Sequence, residues 1–165
     1  MQGHGASFIL YQIPVAGSLI GSMKIIWRLD EARPLDPENL LGDITLSNGH
    51  TVLQERQTYI DSWLDALITG LQAVQAGKAI RVDIPEEPDA LVFEPVEKGV
   101  RLSYRALALE VESVEALHGA LLLAATALLQ ELAEVEGWER HALLHGIRDF
   151  VSNPQEVSSK VGMHT

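Results

Sequence analysis

The chain has 165 residues, 47% of them hydrophobic and 21% charged, with no cysteine and a formal net charge of −11. These values fit one globular domain rather than a disordered segment, and the missing cysteines exclude disulfides, thiolate metal sites, iron–sulfur ligation and thiol nucleophiles. Residues 82–139 hold thirteen acids against three bases, Lys98, Arg101 and Arg105, while residues 1–81 are net −2 and the stretch from Arg140 is net +1, so the negative field belongs to the second half of the chain, where it disfavours nucleic acid and favours a basic partner.

Met1 to Met23 carries no charge. Gly3, Gly5, Pro14, Gly17 and Gly21 break it as a spanning helix, and it lacks the Lys or Arg that opens a signal peptide. Residues 1–22 therefore read as an added leader, an over-extended start or an additional strand over Ser7 to Ile13. Residues 23–152 read as a single domain and 153–165 as a tail. Without a membrane segment, the expected location is the cytoplasm.

Ser22 to Leu29 is β-prone, and Arg33-Pro34-Leu35-Asp36-Pro37 reads as a loop because the two prolines disfavour helix. Asp43 to Ser47 and Thr51 to Glu55 flank Asn48-Gly49, which predicts a two-residue hairpin tip with both residues at positive φ. Ile60, Trp63, Leu64, Leu67, Ile68, Leu71 and Val74 recur at spacings of three and four and predict a helix over Tyr59 to Ala76. In that helix Thr58 is the expected cap, Gly77 the stop, and Asp61 and Asp65 lie on the opposite face.

Three β-prone runs follow, Ala79 to Ile84, Leu91 to Val96 and Val100 to Val111. Pro95 suggests an edge position, and the uneven alternation of the last run requires a bulge near Ala106 or a break into two strands. Ser113 caps a second helix, about Val114 to Val135, with a stripe of Val114, Leu117, Leu121, Ala124, Leu128, Leu132 and Val135. Leu122, Leu129 and His118 widen that stripe, so the apolar arc exceeds half the circumference. Leu123 lies on the polar side as a single exposed leucine. A third helix, about Arg140 to Val151, ends at Asn153-Pro154. Neighbouring strands separated by helices predict an α+β fold, a mostly antiparallel sheet with two long helices and a shorter C-terminal helix on one face.

No nucleotide-binding glycine motif and no nucleophile elbow is present, so no cofactor is expected. His141, His145 and Asp149 share a helix face at four-residue spacing, as metal-binding histidines do, but the intervening glutamate of a metalloprotease is missing and the stripe lies opposite Leu143 and Ile147. It reads as a solvated face, without metal. His118 reads as a half-buried, hydrogen-bonded histidine rather than a base. Pro85-Glu86-Glu87-Pro88-Asp89 reads as a solvated connector or as a docking edge for a basic partner.

The reading that follows is a non-catalytic, bacterial-type acidic protein-interaction domain, possible as a homodimer. It would bind another protein through Glu86, Glu87, Asp89, Glu110, Glu112 and Glu115, with Leu122 and Leu129 as the apolar anchor. Size, charge and the ββαβββα order resemble small immunity proteins that neutralise basic toxins, although no motif of such a family is present. The rivals are a small-molecule or metal-dependent enzyme built on His118 or on His141 and His145, and a homo-oligomeric structural subunit.

Overall fold

The computed structural model describes residues 22–30 and 35–153. The strand expected over Ser7 to Ile13, the Arg33-Pro34 part of the loop and the tail from Pro154 lie outside those residues. Strands β1 (Lys24–Leu29), β2 (Leu41–Ser47) and β3 (Val52–Tyr59) lead into helix α1 (Ile60–Gln75). Strands β4 (Ile80–Asp83), β5 (Ala90–Pro95), β6 (Val100–Tyr104) and β7 (Leu107–Val111) lead into α2 (Val114–Leu132), a 3-10 turn at Trp138–Arg140 and α3 (Ala142–Ser152).

The fold is α+β with every strand pairing antiparallel, but the strands form two sheets rather than one, ordered β1-β2-β3 and β4-β5-β6-β7. The division falls where α1 interrupts the strands. β3 runs into α1 without a loop, and the helix carries the chain away before β4 starts. Hairpin signals specify that sequence neighbours pair; they do not specify whether β3 meets β4. The sheets are joined by polar bonds instead. The Asn48 side-chain amide donates to the Glu110 carbonyl (2.8 Å) and the Tyr104 hydroxyl donates to the Glu55 carboxylate (3.0 Å).

That use of Asn48 changes the expected turn. The tip spans four residues, Asn48 to Thr51, and only Gly49 has positive φ. Asn48 is buried, and its side-chain oxygen accepts the N–H groups of His50 (2.8 Å) and Thr51 (2.7 Å). An Asx-type cap satisfied in this way removes the need for a tight type I′ turn. Farther along, Arg56 and Gln57 stand opposite Asp43 in a β-bulge with Gln57 at φ 52°. Asp43, nearly buried, accepts the Gln57 N–H (3.1 Å) and pairs with Arg28 (2.8 Å), linking all three strands of the first sheet.

α1 matches its periodicity. Trp63, Leu64, Leu67 and Leu71 are fully buried, and Gly77 at φ 77° closes a Schellman motif, with the N–H groups of Gly77 and Lys78 donating to the carbonyls of Val74 and Ala73. The N-cap is Tyr59, with no side-chain bond, in place of Thr58. The Thr58 hydroxyl is engaged elsewhere, because it accepts the Trp63 indole N–H (2.9 Å) and donates to Glu87 (2.7 Å).

The run Val100 to Val111 breaks into two strands at Arg105-Ala106, with Arg105 at φ 55°. Pro95 ends a central strand, not an edge one. β4 reaches only to Phe93, so no ladder bond on that side needs the missing proline N–H. Ser113 caps α2 by accepting the Ala116 N–H (3.0 Å). α2 stops at Leu132, three residues short of the expected end. Glu131, Glu134 and Glu136 oppose the negative end of the helix dipole there, and no base occupies the last turn.

α1 packs on β2, β4 and β5 and on both other helices, while α2 packs on β1 and β7. Gly70 is the closest point of that packing, since a Cβ there would lie 2.2 Å from the ring of the fully buried Phe93. Gly70→Ala is therefore expected to destabilise the domain by about 1–3 kcal/mol through overpacking, although alanine in an open helix would stabilise it by about 1 kcal/mol. Urea unfolding checks this, and a variant as stable as the parent contradicts it.

Candidate functional site

The carboxylates expected to form a docking edge have, in part, internal partners. Glu87 N–H donates to the Ile84 carbonyl (3.0 Å) across Pro85-Glu86, with Glu86 at φ 74°, the pattern of a type II turn. The turn brings Glu87 to Thr58 (2.7 Å), and through Thr58 to the Trp63 indole. Asp89 pairs with Arg105 (3.0 Å), which also reaches Glu55 (3.2 Å) and lies over the Tyr104 ring. Burial, and then the Glu55 carboxylate, hold the Tyr104 hydroxyl well above the ordinary phenol range, so it donates as a neutral phenol. Glu110 pairs with Arg101 (2.9 Å). Glu86, Glu112 and Glu115 are exposed, with no ion-pair partner among the described residues.

Leu122 and Leu129 are half-buried and pack against the core, so they are not an open anchor. The exposed position on α2 is Leu123, at 76%. Leu123 and Ala127, with Glu131 a further turn on, make a second stripe at four-residue spacing. This stripe was visible in the sequence but was overshadowed by the stronger stripe centred on Leu121.

The histidines do not converge. His145 approaches Asp149 (3.5 Å) and Arg148 (2.9 Å) along α3, whereas His141, at the entry to α3, acts electrostatically on Asp61 of α1. Among the described residues, no three His, Asp or Glu side chains are arranged to hold a metal ion. His118 is half-buried with its ring 5.5 Å from that of Phe150. Its Nε2 has no hydrogen-bond partner among the described residues, contrary to the bonded state expected of it.

One concave feature of the described surface is a groove of about 510 Å³ between β1 and α2. One wall is the whole of β1 after Lys24, from Ile25 to Leu29, continued by Asp30; the other is Leu123, Ala124, Ala127 and Glu131, with Leu35 at one end. The Trp27 indole N–H donates to the Ala124 carbonyl (2.9 Å) and fixes the distance between the walls. Glu131 and Asp30 supply negative charge, and Arg28 is neutralised by Asp43. Among the described residues no histidine lines this groove or the smaller cleft of about 90 Å³ beside it.

Comparison with protein-family models, with curated proteins and with solved structures returns no match. Among the described residues no helix is long and apolar enough to cross a membrane.

Asp61 and Asp65, on the face of α1 opposite its apolar stripe, are half-buried. Burial raises both carboxyls above the ordinary value of 3.8; at Asp61 the backbone N–H groups at the start of α1 and His141 partly offset this. A carboxyl raised in the folded state opposes folding once ionised. That penalty is absent below about pH 4, near the unfolded value, and complete above the folded one. Asp65→Asn is therefore expected to raise the thermal unfolding midpoint at pH 7, with the difference closing as the pH falls below about 4. An Asn variant no more stable than the parent at pH 7 contradicts the assignment.

Proposed function

We propose that this chain is a non-catalytic protein-binding domain that receives a basic partner in the groove between β1 and α2. The observation that carries this reading is the pairing of a solvent-open leucine, Leu123, with the acids Asp30 and Glu131 around one concavity. A buried apolar anchor supplies affinity, and surrounding charge of one sign supplies association rate and selectivity. From Val114 to Glu139 there is no Lys or Arg, and the carbonyl end of α2 adds to the negative potential of Glu131, Glu134 and Glu136. An enzyme would need convergent polar groups in such a groove. Its ionisable side chains among the described residues are Arg28, Asp30 and Glu131, and the arginine is already paired.

Partner selection through a photo-reactive side chain at position 123, followed by binding measurements on the isolated pair, tests the reading. Leu123→Asp is expected to lower affinity about tenfold or more, the scale of losing a central anchor. Glu131→Lys is expected to slow association and flatten its salt dependence. Unchanged binding by both variants overturns the proposal.

A further inference from the structure

We propose, on the basis of that reading, that the groove takes its occupant as an added β-strand: an extended segment of alternating apolar and basic residues that pairs with the outer edge of β1. Along a strand, successive side chains point to opposite faces, so a pocket on one face touches every second residue. Here Ile25, Ile26, Trp27, Arg28, Leu29 and Asp30 all line the groove. A run of consecutive residues means that the groove opens onto the edge of the strand, where the main chain lies.

The register identifies which main-chain groups are involved. β1 is the outer strand of its sheet, paired with β2 in a register that sets Leu29 opposite Gly42. The Asp30 N–H donates to the Leu41 carbonyl (2.9 Å). In an antiparallel ladder, alternate residues bond to the partner strand and those between them point away. Lys24, Ile26, Arg28 and Asp30 therefore address β2, while the N–H and C=O groups of Ile25, Trp27 and Leu29 address the groove. No strand among the described residues pairs with them. Unpaired edges of this kind accept strands from other chains.

The opposite wall specifies the side chains. Leu123 and Ala127 offer an apolar surface to one face of an incoming strand. Glu131 and Asp30 favour lysine or arginine among its other residues, and the charge of Arg28 is already matched by Asp43.

Amide hydrogen exchange of the full chain tests this, with an end-blocked eight-residue peptide of alternating lysine and valine as the probe. Binding is expected to slow exchange at Ile25, Trp27 and Leu29 about tenfold or more, a change of about 1.4 kcal/mol in opening free energy. An added strand bonds through one edge only. Of two further peptides, one N-methylated at every lysine and one at every valine, one is therefore expected to bind and the other to fail; a glutamate–valine peptide is expected not to bind. Equal binding by both N-methylated peptides, with those three amides exchanging freely, overturns strand addition while leaving the groove as a docking site. Equal binding to Leu123→Asp and to the parent overturns the groove reading itself. Absence of binding at millimolar lysine–valine peptide also overturns strand addition. A different outcome is that the amides are already slow in the chain alone and are released by removing residues 1–21 or by dilution that halves the mass in light scattering. That result assigns the edge to the chain itself or to a second copy and overturns the proposal.

Discussion

A fully buried indole N–H must find an acceptor, because an unsatisfied donor in the core costs about 1–3 kcal/mol. Trp63 is that donor, at the start of α1 and without solvent exposure. Its N–H is accepted by the Thr58 hydroxyl at the end of β3, which itself donates a hydrogen bond to Glu87 in the loop between β4 and β5. The ring meets Tyr104 edge-on at 5.1 Å, and Tyr104 reaches back to Glu55 of β3. One side chain thus gathers the first helix, both sheets and the carboxylate turn. Removing Glu87 would leave the Thr58 hydroxyl without its acceptor, and removing Thr58 would strand the indole.

The same constraint accounts for how the acids are used. The concentration of negative charge in the second half of the chain looks like a surface for others. Yet Glu87, Asp89 and Glu110 are held by Thr58, Arg105 and Arg101. The bases of residues 82–139 are few, and two of the three serve these acids. Among the acids without an ion-pair partner among the described residues, Glu131, Glu134 and Glu136 stand together toward the end of α2, where the helix dipole has the same sign, while Glu86, Glu112 and Glu115 lie elsewhere.

The groove in turn follows from the place of β1 as the outer strand of its three-stranded sheet. α2 comes alongside it, bonded through Trp27 to the Ala124 carbonyl, but approaches as a wall and not as a pairing strand. A helix has no row of free N–H groups with which a strand could pair, since its own ladder uses them. Among the described residues the outer edge of β1 is thus flanked by α2 without a pairing strand, and Leu123 is left exposed.

Local rules carried far into this structure. Three-four spacing located α1 and α2, the glycine at position 77 located the end of α1, Ser113 located the start of α2, and the uneven alternation around Ala106 located the break between β6 and β7. All of these depend on residues within a few positions of one another, which is why the sequence alone determined the secondary structure and the α+β class. The tertiary structure alone decided the number of sheets, the four-residue tip at Asn48, the loss of Thr58 as a cap and the partial burial of Asp61 and Asp65. Two of these follow from side chains that took distant partners: Asn48 bonds the Glu110 carbonyl in addition to its own turn, and Thr58 took Trp63 and Glu87. The candidate site was hidden for the same reason. Leu123 and Ile25 to Asp30 are far apart in sequence, and only the packing of α2 beside β1 makes them two walls of one groove.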